Sequence, residues 1–471
     1  PEAVARWRDW LERGGLPPWS PPRERDTGRD GLRRITSWVR FRQDMVIGAL
    51  GRMRDLATSA GMAGVPFTHN MPPAGLWAPI TARDLATVVD APTTDVYATA
   101  GNMQDMRRQV LAISSITGEP FAAEMSCGTV WFAPRVDPFD NRFVAATSLA
   151  LGLRGFNLYM GAGRDRWIGG LIPEGGEDDG ADLLHFYQRL QRTLEAVHVD
   201  DMRPVTGATI LAPPEYVAHS IAAFPIPGAS PTLLASLGLP VHEMLVGDDW
   251  GLGRPVQLEY WSRLREAEDL LQSMSIPWSL ADGRTPPQAG TLLLASTWCY
   301  MSRTCVESVI AHAEAGFPVI AGPEDPVLDE RLDPLPAETV ERWRAARASG
   351  KLVVAGSLGD VSVAKAMKAA SKKFLSTLPV DLTVRSPGVM LLPHRVQGKN
   401  RWLTWLVSTG GQGRNVMVPR RGFYWNQLLA VRERSSGGEF MQRIGGRGEP
   451  ITIDVSGHEV HLLSWSRSRV G

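Results

Sequence analysis

Apolar residues recur at helical spacing through much of the first 200 residues, and short apolar runs lie between these stretches. The spacing predicts helices over residues 2–13, 35–56, 103–115, 141–152 and 183–198. The runs predict buried strands over residues 65–70, 95–97, 121–128 and 155–161. Strands that alternate with helices are typical of a parallel α/β sheet.

The same alternation begins again after residue 204. Here the pattern predicts strands over residues 208–212, 291–295, 318–321 and 351–355, with helices over 258–274, 305–315 and 361–378. This order is flavodoxin-like. Beyond residue 380 only alternating strands follow, over 381–384, 402–407, 451–454 and 460–465, which predict a small C-terminal β-sandwich. We therefore expect an α/β protein with domains at 1–203, 204–379 and 380–471.

Composition excludes several classes of function. The 50 Lys and Arg residues balance the 50 Asp and Glu residues, and no basic stripe suggests a nucleic-acid partner. No apolar stretch predicts a membrane span. No glycine-rich phosphate loop follows a strand, so neither a nucleotide nor another cofactor is expected, and the second α/β segment is expected to be structural.

Cysteine and tryptophan usage bears on the cellular compartment and on the kind of ligand. The three cysteines form neither a zinc-site spacing nor a disulfide framework, which favours a reducing compartment such as the cytoplasm. The chain begins at Pro1 without a signal peptide, and we expect it to be a piece of a longer protein with any targeting segment upstream. The 16 tryptophans are ordinary core residues, and they are also common platforms for sugar rings.

Glu124 is the main candidate for catalysis. It lies in a short apolar run that ends at Gly128, as expected for a buried strand that places one carboxylate at the carboxyl-terminal rim of a (β/α)8 barrel. The alternative is a structural anion paired with an arginine. Cys127, three residues later, is expected to be a buried filler, since no convincing His–Asp pair accompanies it.

Other residues near predicted strand ends are candidates for ligand binding. They are His69, Asn70, Asp95, Tyr97, Tyr159, Arg164, Asp165, Arg166 and Trp167. Each also has a structural interpretation: His69 and Asn70 could anchor a loop, the tyrosines could be core residues that either contact a sugar or orient Glu124, and residues 164–167 could form a salt-bridge cluster.

Glycoside hydrolysis with retention requires two carboxylates about 5 Å apart, a nucleophile and a general acid/base. Glu124 suits the nucleophile, but its partner is not evident. Glu2 begins a helix, where a carboxylate stabilises the helix dipole, and Asp95 could equally hold a sugar hydroxyl. No metal site is expected.

At these residues the chain resembles the bacterial β-galactosidases of glycoside hydrolase families 35 and 42, which are retaining β-glycosidases. Residues 1–11 resemble the helix after the family's acid/base glutamate, and residues 67–72 resemble the fifth barrel strand. Residues 121–124, with 157–160 and 164–167, resemble strands seven and eight. The resemblance implies a TIM barrel, a flavodoxin-like domain and a C-terminal β-domain, with Glu124 as the nucleophile.

The first four strands and the acid/base glutamate of such a barrel have no counterpart in this sequence. We therefore expect the C-terminal half of a TIM barrel, which either forms a homo-oligomer or associates with the missing N-terminal half. The expected function is a retaining exo-β-glycosidase, most simply a β-galactosidase acting on terminal β-galactosides. The alternative is a non-catalytic carbohydrate-binding or assembly subunit derived from such an enzyme.

Overall fold

The computed structural model describes residues 2–22, 27–78, 80–130, 136–164, 167–172, 181–225, 230–433, 435, 437–441, 443–446 and 448–467. The chain divides into two compact units. The first unit comprises Pro1–Pro92, Thr209–Ala267 and Leu280–Ala364, and the second comprises Thr93–Ala208, Glu268–Ser279 and Lys365–Gly471. The division into three consecutive domains remains a prediction.

Most helices lie close to the stretches that the apolar spacing predicted. They are α1 Glu2–Arg13, α2 Gly28–Ala57, α3 Ala82–Leu85, α4 Met103–Ser114, α5 Pro138–Ala150, α6 Ala181–Val197, α7 Pro214–Ala222, α8 Pro231–Ser236, α9 Val256–Ser273, α10 Arg303–Glu314, α11 Ala337–Ala348 and α12 Val361–Thr377. None of the helices in the described ranges is long and apolar enough to cross a membrane.

The strands are more numerous than the pattern predicted. They are β1 Thr68–Met71, β2 Ala91–Val96, β3 Phe121–Ser126, β4 Thr129–Val130, β5 Gly155–Tyr159, β6 Trp167–Ile168, β7 Met202–Pro204, β8 Ala208–Leu211, β9 Trp278–Ala281, β10 Leu292–Thr297, β11 Val319–Pro323, β12 Leu352–Val354, β13 Val380–Val384, β14 Val389–Val396, β15 Arg401–Pro419, β16 Tyr424–Arg432, β17 Arg443–Gly445 and β18 Ile451–Ser466.

The first unit is built on a sheet in the order β12-β11-β10-β8-β9. β10 pairs in parallel with β11, and β11 pairs in parallel with β12. Every residue of β8 and β10 is buried, as expected for parallel strands that are covered on both faces. The helical face of α1 buries Trp7 and Leu11 against Phe41 of α2. The amphipathic face predicted at the N-terminus therefore packs in a local core between α1 and α2.

The helix α2 is longer than predicted, because it begins at Gly28 rather than at residue 35. Its charged first turns hide the helical periodicity, which depends on apolar residues. Its last turns carry Met53 and Leu56 with side chains 62% and 71% exposed. The apolar stripe that predicted a buried face is therefore only partly covered within the first unit.

The second unit contains the parallel strands β2, β3 and β5, which are consecutive in their sheet. β5 is the last strand in that order. A groove of about 740 Å³ runs beside it, lined by β5, α6 and the loop that follows α6. Within the described residues, β5 therefore has a free edge of the kind on which another strand can pair.

The second unit also contains an antiparallel sheet in the order β17-β16-β18-β15-β14-β7, with β13 on β15. The prediction of separate strands at 451–454 and 460–465 was wrong, since both belong to the continuous strand β18. Residues 455–459 remain extended because they pair with β15 across a register shift between Thr409 and Gln412. The strands β14 and β16 were not predicted. Pro393 within β14 is an unusual strand residue, and Val205 donates its N–H to the Pro393 carbonyl.

A buried ion pair joins α4 to the end of α9 in the second unit. Arg108 donates to both oxygens of Glu268, at 3.0 and 2.7 Å, and the two side chains are 4% and 0% exposed. Gln104 on the same helix donates to Glu268 at 3.0 Å. Because buried carboxylates must be paired, this cluster fixes where α4 lies.

Candidate active site

The carboxyl ends of β2, β3 and β5 bring several predicted site residues into register. Asp95 pairs with Glu124, and Ser126 pairs with Tyr159. Paired residues on neighbouring strands point to the same face of a sheet, and residues two apart on one strand share a face. Asp95, Tyr97, Glu124 and Tyr159 therefore lie on one face at the carboxyl edge.

An extra residue in β3 decides which face Glu124 occupies. Between Ala122 and Met125, β3 advances by one residue more than β5, and its register with β2 shifts at the same place. Ala122 and Met125 are 0% and 1% exposed, whereas Ala123 and Glu124 are half-buried. In a regular strand Glu124 would share the buried face of Ala122. The β-bulge turns it to the opposite face, as bulges beside functional sites often do.

Tyr97 holds the carboxylate in place. Its hydroxyl donates to Oε2 of Glu124 at 2.5 Å. Burial raises the pKa of Tyr97 well above its usual value, and the hydrogen bond to Glu124 and the charges of Glu124 and Asp95 raise it further. The phenol therefore stays protonated and remains a hydrogen-bond donor.

Tyr159 completes an aromatic wall beside Glu124. Its ring meets that of Tyr97 edge to face, with centroids 6.0 Å apart. Tyr159 is 38% exposed, so it has a surface that a ligand can contact. An exposed aromatic ring next to a carboxylate is an arrangement suited to a sugar.

The loop after β3 is anchored by polar contacts that the sequence did not reveal. The N–H of Cys127 donates to the Tyr159 carbonyl at 3.1 Å. The Asn141 amide donates to the Cys127 carbonyl at 3.1 Å, and the Tyr187 hydroxyl donates to Asn141 Oδ1 at 3.1 Å. Burial raises the pKa of Cys127 to about 11, so it remains a neutral thiol. This agrees with the interpretation of Cys127 as a buried filler.

The structure describes only some of the remaining predicted residues. His69 and Asn70 are half-buried on β1, in the first unit, and His69 Nδ1 has no hydrogen-bond partner among the described residues. Arg164 is exposed. Asp165 and Arg166 lie outside the described residues. The backbone of Trp167 belongs to β6, which pairs with β4 in antiparallel fashion.

Gln109 is a further residue that sequence reasoning missed. It lies on α4, is 5% exposed, and donates to residues of β2. A polar residue between Met106 and Ile113 on an otherwise apolar helix face was the available signal. Within the described part of the chain, no group of His, Cys, Asp and Glu side chains is arranged to hold a metal ion.

Neither the protein-family models nor the curated proteins include a match to this chain. Solved structures do match its fold. A β-galactosidase from Bacillus circulans sp. alkalophilus has a TM-score of 0.66 at 12% identity, over 98% of this chain and 76% of that one. A catalytic mutant of a GH42 β-galactosidase from G. stearothermophilus has a TM-score of 0.58 at 10% identity, over 98% of this chain and 73% of that one.

A GH42 exo-carrageenase from Bacteroides ovatus also matches, with a TM-score of 0.62 at 12% identity over 98% of this chain and 63% of that one. The chain therefore has a mixed α/β fold like that of GH42 enzymes. Likeness to family 35 is not supported by these structures. The neighbours carry more than one specificity on this fold, so the fold alone does not determine a substrate.

Proposed function

We propose that the chain carries the nucleophile of a retaining exo-β-glycosidase, most simply a β-galactosidase. The observation that supports this most strongly is Glu124, turned by a bulge to the open face of β3 and held there by Tyr97 at 2.5 Å. A GH42-like fold makes this chemistry a reasonable expectation at the carboxyl edge of the strands.

In the proposed reaction, a carboxylate oxygen of Glu124 attacks the anomeric carbon as the bond to the leaving oxygen breaks. A glycosyl ester forms, and an acid/base carboxyl protonates the leaving group. That group, now a carboxylate, takes a proton from water as the water oxygen attacks the anomeric carbon, which breaks the bond to Glu124 and releases the sugar with the original anomeric configuration. Tyr97 keeps Oε2 fixed throughout, so the nucleophile does not need to reorient.

We propose that the acid/base carboxyl comes from polypeptide outside this sequence, as the family resemblance implies. The edge of β5 on which none of the described strands pairs, and the groove of about 740 Å³ beside it, support this proposal, because another strand could pair there. Glu2 is poorly suited to the role, since its side chain is 78% exposed and paired with Arg6 within α1.

Sugar hydroxyls are proposed to contact Asp95, Tyr159 and Arg164, which all belong to the second unit. His69 and Asn70 stay predicted ligand contacts. Asp165, Arg166 and Trp167 are proposed as further contacts from the loop after β5. Galactose is the proposed sugar because two of the structural neighbours are β-galactosidases. A panel of aryl β-glycosides tests this choice, with the aryl β-galactoside expected to be the best substrate.

Covalent trapping tests the nucleophile. The complete protein, as its source makes it, is treated with a 2-deoxy-2-fluoro-β-galactoside that carries a good leaving group, and is then digested for mass spectrometry. We expect one labelled peptide, with the fluorosugar on Glu124, and no label in a Glu124→Gln variant. Label on another carboxylate would refute the assignment. Galactose binding without any label would instead support a non-catalytic carbohydrate-binding subunit.

A further inference from the structure

At the bulge in β3, regular backbone pairing with β2 is interrupted. Other contacts must therefore hold β2 at this position. The register between the two strands shifts between Thr94 and Asp95. Gln109 contacts these same two residues: its Nε2 donates to Thr94 Oγ1 at 2.5 Å and to the Asp95 carbonyl at 2.6 Å. Thr94 is fully buried and Gln109 is 5% exposed, so neither contact is made to solvent.

We propose that Gln109 is a positioning residue, which fixes the end of β2 opposite the bulge and thereby aims the Tyr97 hydroxyl at Glu124. This inference rests on the proposed function, since it assigns Gln109 a part in keeping the nucleophile oriented. One amide group reaches both Thr94 and Asp95, and Tyr97 follows Asp95 by two residues. Movement of this short segment changes the Tyr97–Glu124 distance directly.

Gln104 provides a matched comparison on the same helix. It is also a glutamine whose Nε2 donates a hydrogen bond, but its acceptor is Glu268 on α9 at 3.0 Å. Loss of that bond loosens the contact between α4 and α9 without releasing β2. A Gln→Met substitution keeps the length of the side chain and removes the donor at either position.

The main variants are Gln109→Met and Thr94→Val, with Gln104→Met as the control. Thr94→Val removes one of the two groups that accept from Gln109, with little change in side-chain volume. This variant therefore tests the role of Gln109 even if Gln109→Met fails to fold. The first measurement is the ionisation of Tyr97, obtained as the ultraviolet titration of each protein minus that of its Tyr97→Phe counterpart. It is followed up to about pH 11, above the ordinary phenol pKa of about 10.

We expect no Tyr97 ionisation over this range in the unsubstituted protein or in Gln104→Met. In Gln109→Met the hydrogen bond from Tyr97 to Glu124 weakens while burial remains, so Tyr97 should titrate at a lower pH than in the unsubstituted protein, with part of its ionisation inside this range. Thr94→Val should lie between the two. The second measurement is turnover by the complete protein. Gln109→Met should lower kcat at least about tenfold with KM changed less than about twofold, because a misaimed nucleophile affects the chemical step.

Unchanged Tyr97 titration in both Gln109→Met and Thr94→Val would overturn the proposal, as would an equal change in Gln104→Met. The titration needs no catalysis, so it tests Gln109 even if the protein hydrolyses no glycoside. Failure of the proposed function would appear in the covalent trapping experiment instead.

Discussion

Two parallel sheets in this chain end in carboxylates, and the two ends differ in how those carboxylates are used. In the second unit, Tyr97 is the side chain among the described residues that donates to Glu124. In the first unit, Glu324 follows β11 and accepts from the Cys299 N–H at 2.9 Å and from Arg254 at 2.9 Å. Arg254 also contacts Glu259, at 2.7 Å.

The comparison shows that a carboxylate at a strand end is not by itself a sign of catalysis. Arg254 and the Cys299 N–H both donate to Glu324, so the first-unit sheet ends in a network of ion pairs and hydrogen bonds. Glu124 instead accepts a hydrogen bond from the neutral phenol of Tyr97. The difference supports a chemical role for one edge and a structural role for the other.

Replacing the carboxylate at each edge should give the largest contrast. Glu124→Gln should lower kcat about 10⁴-fold or more, because the amide cannot form the covalent intermediate. Glu324→Gln should leave kcat within about twofold and lower the midpoint of thermal unfolding, because it weakens the network around Arg254. Steady-state hydrolysis of an aryl β-galactoside by the complete protein is the measurement. Near-normal turnover by Glu124→Gln would remove the distinction between the edges.

A buried histidine in the first unit should make stability depend on pH. His219 is fully buried, its Nδ1 lies 2.8 Å from the Tyr300 hydroxyl, and burial lowers its pKa to about 3. The unfolded chain, with a pKa of about 6.5, binds more protons below that pH, so stability is present above about pH 6.5 and is lost as the pH falls. The loss should reach about 3 kcal/mol at pH 4.

Urea unfolding at a series of pH values measures this effect. His219→Asn should flatten the decrease in stability between pH 6.5 and pH 4, whereas replacement of the exposed His185 should not. An unchanged slope in His219→Asn would mean that His219 is protonated in the folded protein or becomes exposed at low pH.

Replacing one hydrogen-bond donor at each edge should separate effects on activity from effects on stability. Tyr97→Phe should lower kcat about ten- to hundredfold, because it removes a hydrogen bond to the charged group that reacts. The same substitution should change the free energy of unfolding little. Arg254→Met should instead cost about 1–2 kcal/mol of stability and spare kcat, because its pairs are one-third exposed. Paired kinetics and urea unfolding check both variants, and loss of activity in Arg254→Met would contradict the structural role.

The smallest expected effect is the response of the first unit to nucleotides and flavins. Saturation with a ligand at 100 times its Kd stabilises a folded protein by about 2.7 kcal/mol, which raises Tm by several degrees. Neither FMN nor ATP should produce such a shift. The control is Glu124→Gln with a β-galactoside, which should be bound without turnover and should raise Tm. A rise in Tm of several degrees with FMN would show that the carboxyl edge of the first-unit sheet is a binding site.

The sequence by itself determined most of the helices and the parallel strands around Glu124. Apolar spacing is a local property, and α1 has the bounds that the spacing predicted, since Trp7 and Leu11 recur on one face. The same reasoning identified Asp95, Tyr97, Glu124 and Tyr159 as strand-end residues. Their presence on one face follows from the register of parallel strands.

Only the tertiary structure decided how Glu124 is oriented and what supports it. A bulge is a mismatch between neighbouring strands, so the sequence of β3 alone cannot reveal that Ala123 is the additional residue. Gln109 lies 15 residues from Thr94, and Arg108 lies 160 residues from Glu268. Such partners are selected by the packing of α4, which depends on long-range contacts rather than on any local pattern.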